Sequence, residues 1–174
     1  PLTRPESALL GMHFGNICTL NRDWAIDRRG ILFPHGRLAA WRDAFGSYIR
    51  FNRPFKNIFE ILQEDFEFAI DNLNILSTAQ VGGKDLVDRL GQHIFTYYLW
   101  EVYPLTGDES LLERFYNKTS DDRERWAQLF DYVGRSLRNS GRHLDRALTD
   151  RIIAFFDWRL EVGEKQELQE FTFW

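Results

Sequence analysis

Asp121-Asp-Arg-Glu-Arg-Trp126-Ala-Gln-Leu-Phe130-Asp-Tyr-Val133-Gly-Arg-Ser-Leu137-Arg-Asn-Ser-Gly141, followed by Arg142-His-Leu144-Asp-Arg-Ala-Leu148-Thr-Asp-Arg-Ile152-Ile-Ala-Phe155-Phe156-Asp-Trp-Arg-Leu160-Glu-Val162-Gly163, is the stretch on which the fold turns. Trp126, Leu129, Phe130, Val133 and Leu137 recur at three- and four-residue spacing, which on a helix makes one apolar stripe. Asp122, Arg123, Glu124, Asp131 and Arg135 fall largely off it. Thr119-Ser120-Asp121 supplies oxygens for the free amides of a first turn, and Asn139-Ser140-Gly141 ends the pattern with a residue that tolerates a left-handed closure. The second half repeats the spacing in Leu144, Leu148, Ile152, Phe155, Phe156, Leu160 and Val162. A connection of about four residues brings two such helices antiparallel, stripe to stripe. The stretch predicts a helical hairpin.

Working outward, the same periodicity predicts helices over most of the chain. Residues Arg4 to Leu20 carry Ala8, Leu9, Met12, Ile17 and Leu20, with Gly11 and Gly15 inside the pattern. Each glycine costs a helix roughly 1 kcal/mol against alanine, so close packing against a neighbour is expected there. Asp23 to Phe33 reads as a short helix and a loop, punctuated by Pro34-His35-Gly36. Leu38, Trp41, Ala44, Phe45, Tyr48 and Ile49 mark a helix that Pro54 stops, because the residue before proline is pushed out of the helical region. Phe55, Ile58, Phe59, Leu62, Phe66, Ala69, Ile70 and Leu73 form the most regular seam, with Glu60, Gln63, Glu64, Asp65 and Asp71 expected outside. Asn74 to Gly83 reads as a loop. Leu86, Leu90, Ile94, Tyr97, Tyr98 and Val102 mark a further helix closed by Pro104, then a short one spans Glu109 to Asn117. A last helix begins near Lys165, with Leu168, Phe171 and Trp174 at three-residue spacing.

The expected fold class is all-α, built of antiparallel helix pairs. It is either a fragment of a solenoid of the HEAT or TPR kind or an irregular helical bundle. Trp41 with Phe45 and Trp126 with Phe130 repeat one spacing at about twice the ~40–47-residue period of helix-pair repeats. Residues 1–174 read as one helical domain, with 1–36 less regular and 37–174 made of helix pairs. The absence of an initiator methionine and the apolar ending Phe171-Thr-Phe-Trp174 suggest a piece of a longer protein.

Composition bounds the function. Of 174 residues, 44% are apolar and 16% aromatic, enough large side chains to fill a core. A net charge of −4 argues against a domain that works by neutralising nucleic-acid phosphates. The single cysteine, Cys18, excludes an internal disulfide and fits a cytoplasmic setting. No run approaches the roughly eighteen apolar residues of a membrane span, so no membrane partner is expected.

Motifs that carry chemistry are missing. His13, His35, His93 and His143 lack a second ligand at metal spacing, and His93 is expected on a helix surface or partly buried. No metal, cofactor or catalytic residue is assigned. Glu64-Asp65 with Glu67, and Asp121-Asp122 with Glu124, read as solvated helix faces that pair with arginines. Val81-Gly82-Gly83-Lys84 lacks phosphate-loop spacing. Arg22, Arg28 and Arg29 beside Trp24 form the one basic cluster containing an aromatic. With Phe171 and Trp174 they are the candidate interaction surface, and the last helix is the expected route to self-association.

Ile94-Phe-Thr-Tyr-Tyr-Leu-Trp100 and Phe130-Asp-Tyr-Val-Gly-Arg-Ser-Leu-Arg-Asn-Ser-Gly141 resemble the helical carboxy-terminal regions of large multidomain bacterial proteins that couple a nucleotide-hydrolysing or effector domain to a helical array in antiviral defence. That resemblance implies a sensing or scaffolding role, with an ATPase or effector domain elsewhere in the parent protein. Two functional expectations therefore stand. One is a non-enzymatic interaction module that binds a protein partner or another domain of its own chain; the other is a small all-helical enzyme or ligand-binding domain with a pocket between helices.

Overall fold

A computed structural model of the chain describes residues 2–77, 85–139 and 145–162. Among the described residues there are ten helices and no strand, so the fold class is all-α as the periodicity predicts. The chain divides into two units, Pro1–His93 and Ile94–Trp174.

The first unit holds α1 (Arg4–Met12), α2 (Phe14–Leu20), α3 (Arg22–Leu32), α4 (Leu38–Phe51), α5 (Lys56–Asp71), α6 (Leu73–Ser77) and the start of α7 (Leu86–Leu99). The single helix expected over Arg4–Leu20 is two, broken at His13. Its buried face is also not the apolar one. Ser7, Gly11, Phe14 and Cys18 point inward at helical spacing, while Leu9 and Leu20 are exposed. The glycines explain this: a Cβ on Gly11 would stand 2.0 Å from the Ala44 carbonyl oxygen, and one on Gly15 would stand 2.6 Å from Asn52 Oδ1. α1 therefore lies directly on α4, and Asn52 Nδ2 donates to the Met12 carbonyl at 3.0 Å.

The core of this unit is aromatic. Trp41 stacks on Phe45 at 5.2 Å, Phe66 meets Phe45 edge-on at 5.2 Å, and all three are fully buried. Leu38 and Phe55, expected in the seams of α4 and α5, are exposed. α6 occupies part of the segment expected to be loop and buries Leu76.

The second unit contains the rest of α7, α8 (Leu111–Thr119), α9 (Arg123–Asn139) and α10 (Arg146–Val162). α7 ends at Leu99, well before Pro104. Glu101 adopts φ 59°, its amide donates to the Tyr98 carbonyl at 3.0 Å, and the Val102 amide donates to Tyr97 at 3.1 Å. This is the paired-bond closure of a helix C-terminus, with glutamate at the left-handed position where glycine is usual. Arg151 reinforces it by donating to the carbonyls of Tyr98 (2.6 Å) and Tyr103 (3.0 Å). Asp122 and Asp145 open α9 and α10 by accepting from the amides of Arg125 (3.1 Å) and Leu148 (2.7 Å).

The hairpin is present and antiparallel. Phe130 meets Phe155 at 5.9 Å, and one turn earlier on α9 Trp126 meets Arg159 one turn later on α10 at 5.6 Å. The inward face of α10 differs from expectation at its end, because Leu160 is 49% exposed while Arg159 is fully buried. The two similar Trp-Phe pairs are anchored differently. The Trp41 indole N–H reaches forward to Asp65 on α5, and that of Trp126 reaches back to Thr119 on α8.

Candidate functional site

Four of the six expected interaction residues lie on α3, and the helix sorts them by face. Arg22, Ala25, Arg29 and Leu32 share the inner side, where Ala25 and Leu32 are buried. The Arg22 guanidinium donates to the Asn57 carbonyl at 2.6 Å and to Glu60 at 2.7 Å. Arg29 donates through Nε to Asp65 at 2.8 Å and also to Glu64. Both arginines therefore tie α3 to α5. Trp24 and Arg28 face outward with Ile31, four and seven residues on from Trp24. Trp24 is 43% and Ile31 52% exposed, and among the described residues the Arg28 side chain makes no hydrogen bond or ion pair. Phe171 and Trp174 lie outside the described residues, as does the expected last helix.

The α5 end of these ties is a polar centre that periodicity did not reveal. Asp65, expected on the solvated face, is fully buried. One of its oxygens accepts from Trp41 Nε1 at 2.9 Å and is 2.8 Å from His35 Nε2, while the other accepts from Arg29. His35 stacks on Phe68 with centroids 4.2 Å apart. One carboxylate thus holds α3, the α3–α4 connection and α4 against α5. Arg29 in turn holds the Glu64 carboxyl below its usual range by hydrogen bonding and charge. A signal was available: Asp65 lies three residues beyond Leu62 and one before Phe66, inside the apolar arc of its own helix.

His93, expected on a helix surface or partly buried, is more deeply buried than that, at 3% exposure, with Nε2 3.1 Å from the Ile49 carbonyl. Burial pushes its imidazole down to about 4, so it is neutral at pH 7. Burial pushes the Cys18 thiol up to about 11, the wrong direction for a nucleophile. Among the described residues no three or more His, Cys, Asp or Glu side chains are placed to hold a metal ion. No helix there is long and apolar enough to cross a membrane.

A cleft of about 190 Å³ opens between α1, α4 and the start of α7, lined by Ala8, Arg42, Asp43, Gly46, Ser47, Arg50, Phe51 and Leu86, with Arg42 paired to Asp43 at 3.1 Å. Comparison of the chain with protein-family models, curated proteins and solved structures yields no match.

Proposed function

We propose that this chain is a cytoplasmic helical interaction or scaffold module of a larger protein, and that it docks a protein partner or another domain through the outer face of α3. The observation that carries the reading is the exposed set Trp24, Arg28 and Ile31, at the i, i+4, i+7 spacing with which an amphipathic helix enters a groove. Trp and Arg are among the side chains that most often dominate interface energies, Trp by its large rigid ring and Arg by its planar fork of hydrogen-bond donors. The ionisable groups that suggest chemistry, Asp65, His35 and Arg29, instead hold helices together. Such a surface suits the sensing or scaffolding role implied by the resemblance to helical regions of defence proteins.

The test is a photo-crosslinking residue introduced at Ile31, compared with one at exposed Lys118 on α8, in the parent protein inside its own cells. A discrete product from position 31, lost in Trp24→Ala, supports the reading. Equal products from both positions, or none from 31, overturn it.

A second reading, a ligand-binding domain, draws on the cleft, where the Arg50 guanidinium and the Phe51 ring stand beside the Arg42–Asp43 ion pair. A small aromatic anion fits that chemistry. Titration calorimetry with phenyl phosphate, on wild type and Arg50→Gln, decides it, and no heat at millimolar ligand removes this reading.

A further inference from the structure

We propose that the occupant of the outer α3 face is a second copy of this chain, the two α3 helices lying side by side and pointing the same way about a two-fold axis parallel to them. This rests on the reading of that face as a docking surface and names what covers it.

The argument is the charge pattern. At about 100° per residue, Trp24 and Ile31 lie within roughly 20° of each other, and Asp27 and Arg28 stand about 50° to either side of their midline. All four are exposed, and neither Asp27 nor Arg28 has an ion pair among the described residues. A two-fold axis along the helices sets the left flank of one copy against the right flank of the other. Asp27 then faces the partner's Arg28, and Arg28 faces the partner's Asp27, on both sides of a seam made of Trp24 and Ile31. An antiparallel pairing would set like flank on like flank, carboxylate against carboxylate and guanidinium against guanidinium. The same geometry decides pairing at the flanking positions of coiled coils, so the charges select both the partner and the direction. The seam spans only about two turns, well short of the area of a stable interface, so the dimer is weak and concentration-dependent.

Sedimentation equilibrium of the 174-residue chain at low salt tests this. The wild type self-associates, and Asp27→Arg or Arg28→Asp each weakens the dimer about tenfold or more, since each sets like charges across both flanks. The double exchange, Asp27→Arg with Arg28→Asp, restores it. Ile31→Cys gives a disulfide-linked dimer on mild oxidation, which the antiparallel arrangement would not. Circular dichroism confirms that these surface variants stay folded. The proposal is overturned by a chain monomeric at several hundred micromolar, by a dimer indifferent to Asp27→Arg, by a failed double exchange, or by a dimer lost only in Phe171→Asp/Trp174→Asp. A monomer leaves α3 open as a docking face, which the crosslinking at Ile31 tests separately.

Discussion

Removing the Asp65 carboxylate strands three donors of different burial, and the cost can be worked from each. Trp41 is fully buried, so its indole N–H has no water to turn to, a penalty of about 1–3 kcal/mol. The Arg29 side chain is 20% exposed and keeps Glu64, itself largely in solvent, but it loses a charge-assisted bond of about 1.5–3 kcal/mol. The His35 side chain is 34% exposed, can hydrogen-bond to water and adds little. Asp65→Ala should therefore destabilise the fold by about 3–5 kcal/mol, the range for breaking a buried ion pair from one side. Asp65→Asn keeps one acceptor for Trp41 but turns its amide toward the Arg29 N–H, so roughly half that loss is expected. Urea unfolding followed by tryptophan fluorescence and circular dichroism measures both, and a double-mutant cycle with Arg29→Ala should show a coupling of about 1.5 kcal/mol or more. A loss below about 1 kcal/mol in Asp65→Ala, with an unchanged urea slope, would refute the view that this carboxylate locks α3 and α4 onto α5.

Three further outcomes are expected. Phe130→Ala empties a fully buried ring site between α9 and α10 and should cost about 3–5 kcal/mol in the same unfolding assay. His93 is held near 4 in the fold against an ordinary 6.5, so the unfolded chain binds the extra proton; stability is full above about 6.5 and falls by up to about 3 kcal/mol as pH drops toward 4. His93→Gln should flatten that slope in unfolding measured across the window. Glu101→Gly relieves a left-handed glutamate worth about 1–2 kcal/mol and gives part of it back through a freer unfolded chain, for a net gain of about 0.5–1 kcal/mol read as a higher urea midpoint.

The helices were legible because large aromatic residues recur at helical spacing, and a stripe such as Trp126, Leu129, Phe130 and Val133 has one way to be buried. The first helix shows where that reasoning stops. Its large residues are few, and what faces α4 is Ser7 and Gly11, chosen by the need for two backbones to approach and not by apolarity. Periodicity counts hydrophobic side chains, so a face made by their absence does not register. The polar centre was hidden for a related reason. Asp65 lies among acidic neighbours that do face water, and only the positions of Leu62 and Phe66 set it apart. The partners that justify its burial, Arg29, His35 and Trp41, come from segments far along the chain.

α10 separates the two halves of this lesson most clearly. The spacing Leu148, Ile152, Phe155 continues to position 159, and that slot is indeed fully buried, but it holds an arginine. Reading residue type ahead of position sent the expected stripe to Leu160 instead. The arginine there is surrounded by rings: its guanidinium lies 3.8 Å from the Tyr116 centroid, 4.9 Å from Trp158 and 5.6 Å from Trp126. Aromatic faces carry partial negative charge and offer a weakly hydrated planar cation a surface that aliphatic side chains cannot. The aromatic richness of this sequence thus does more than fill volume. It gives a cation at a core position three rings to lie against, and the stripe that defines the hairpin runs unbroken through Arg159.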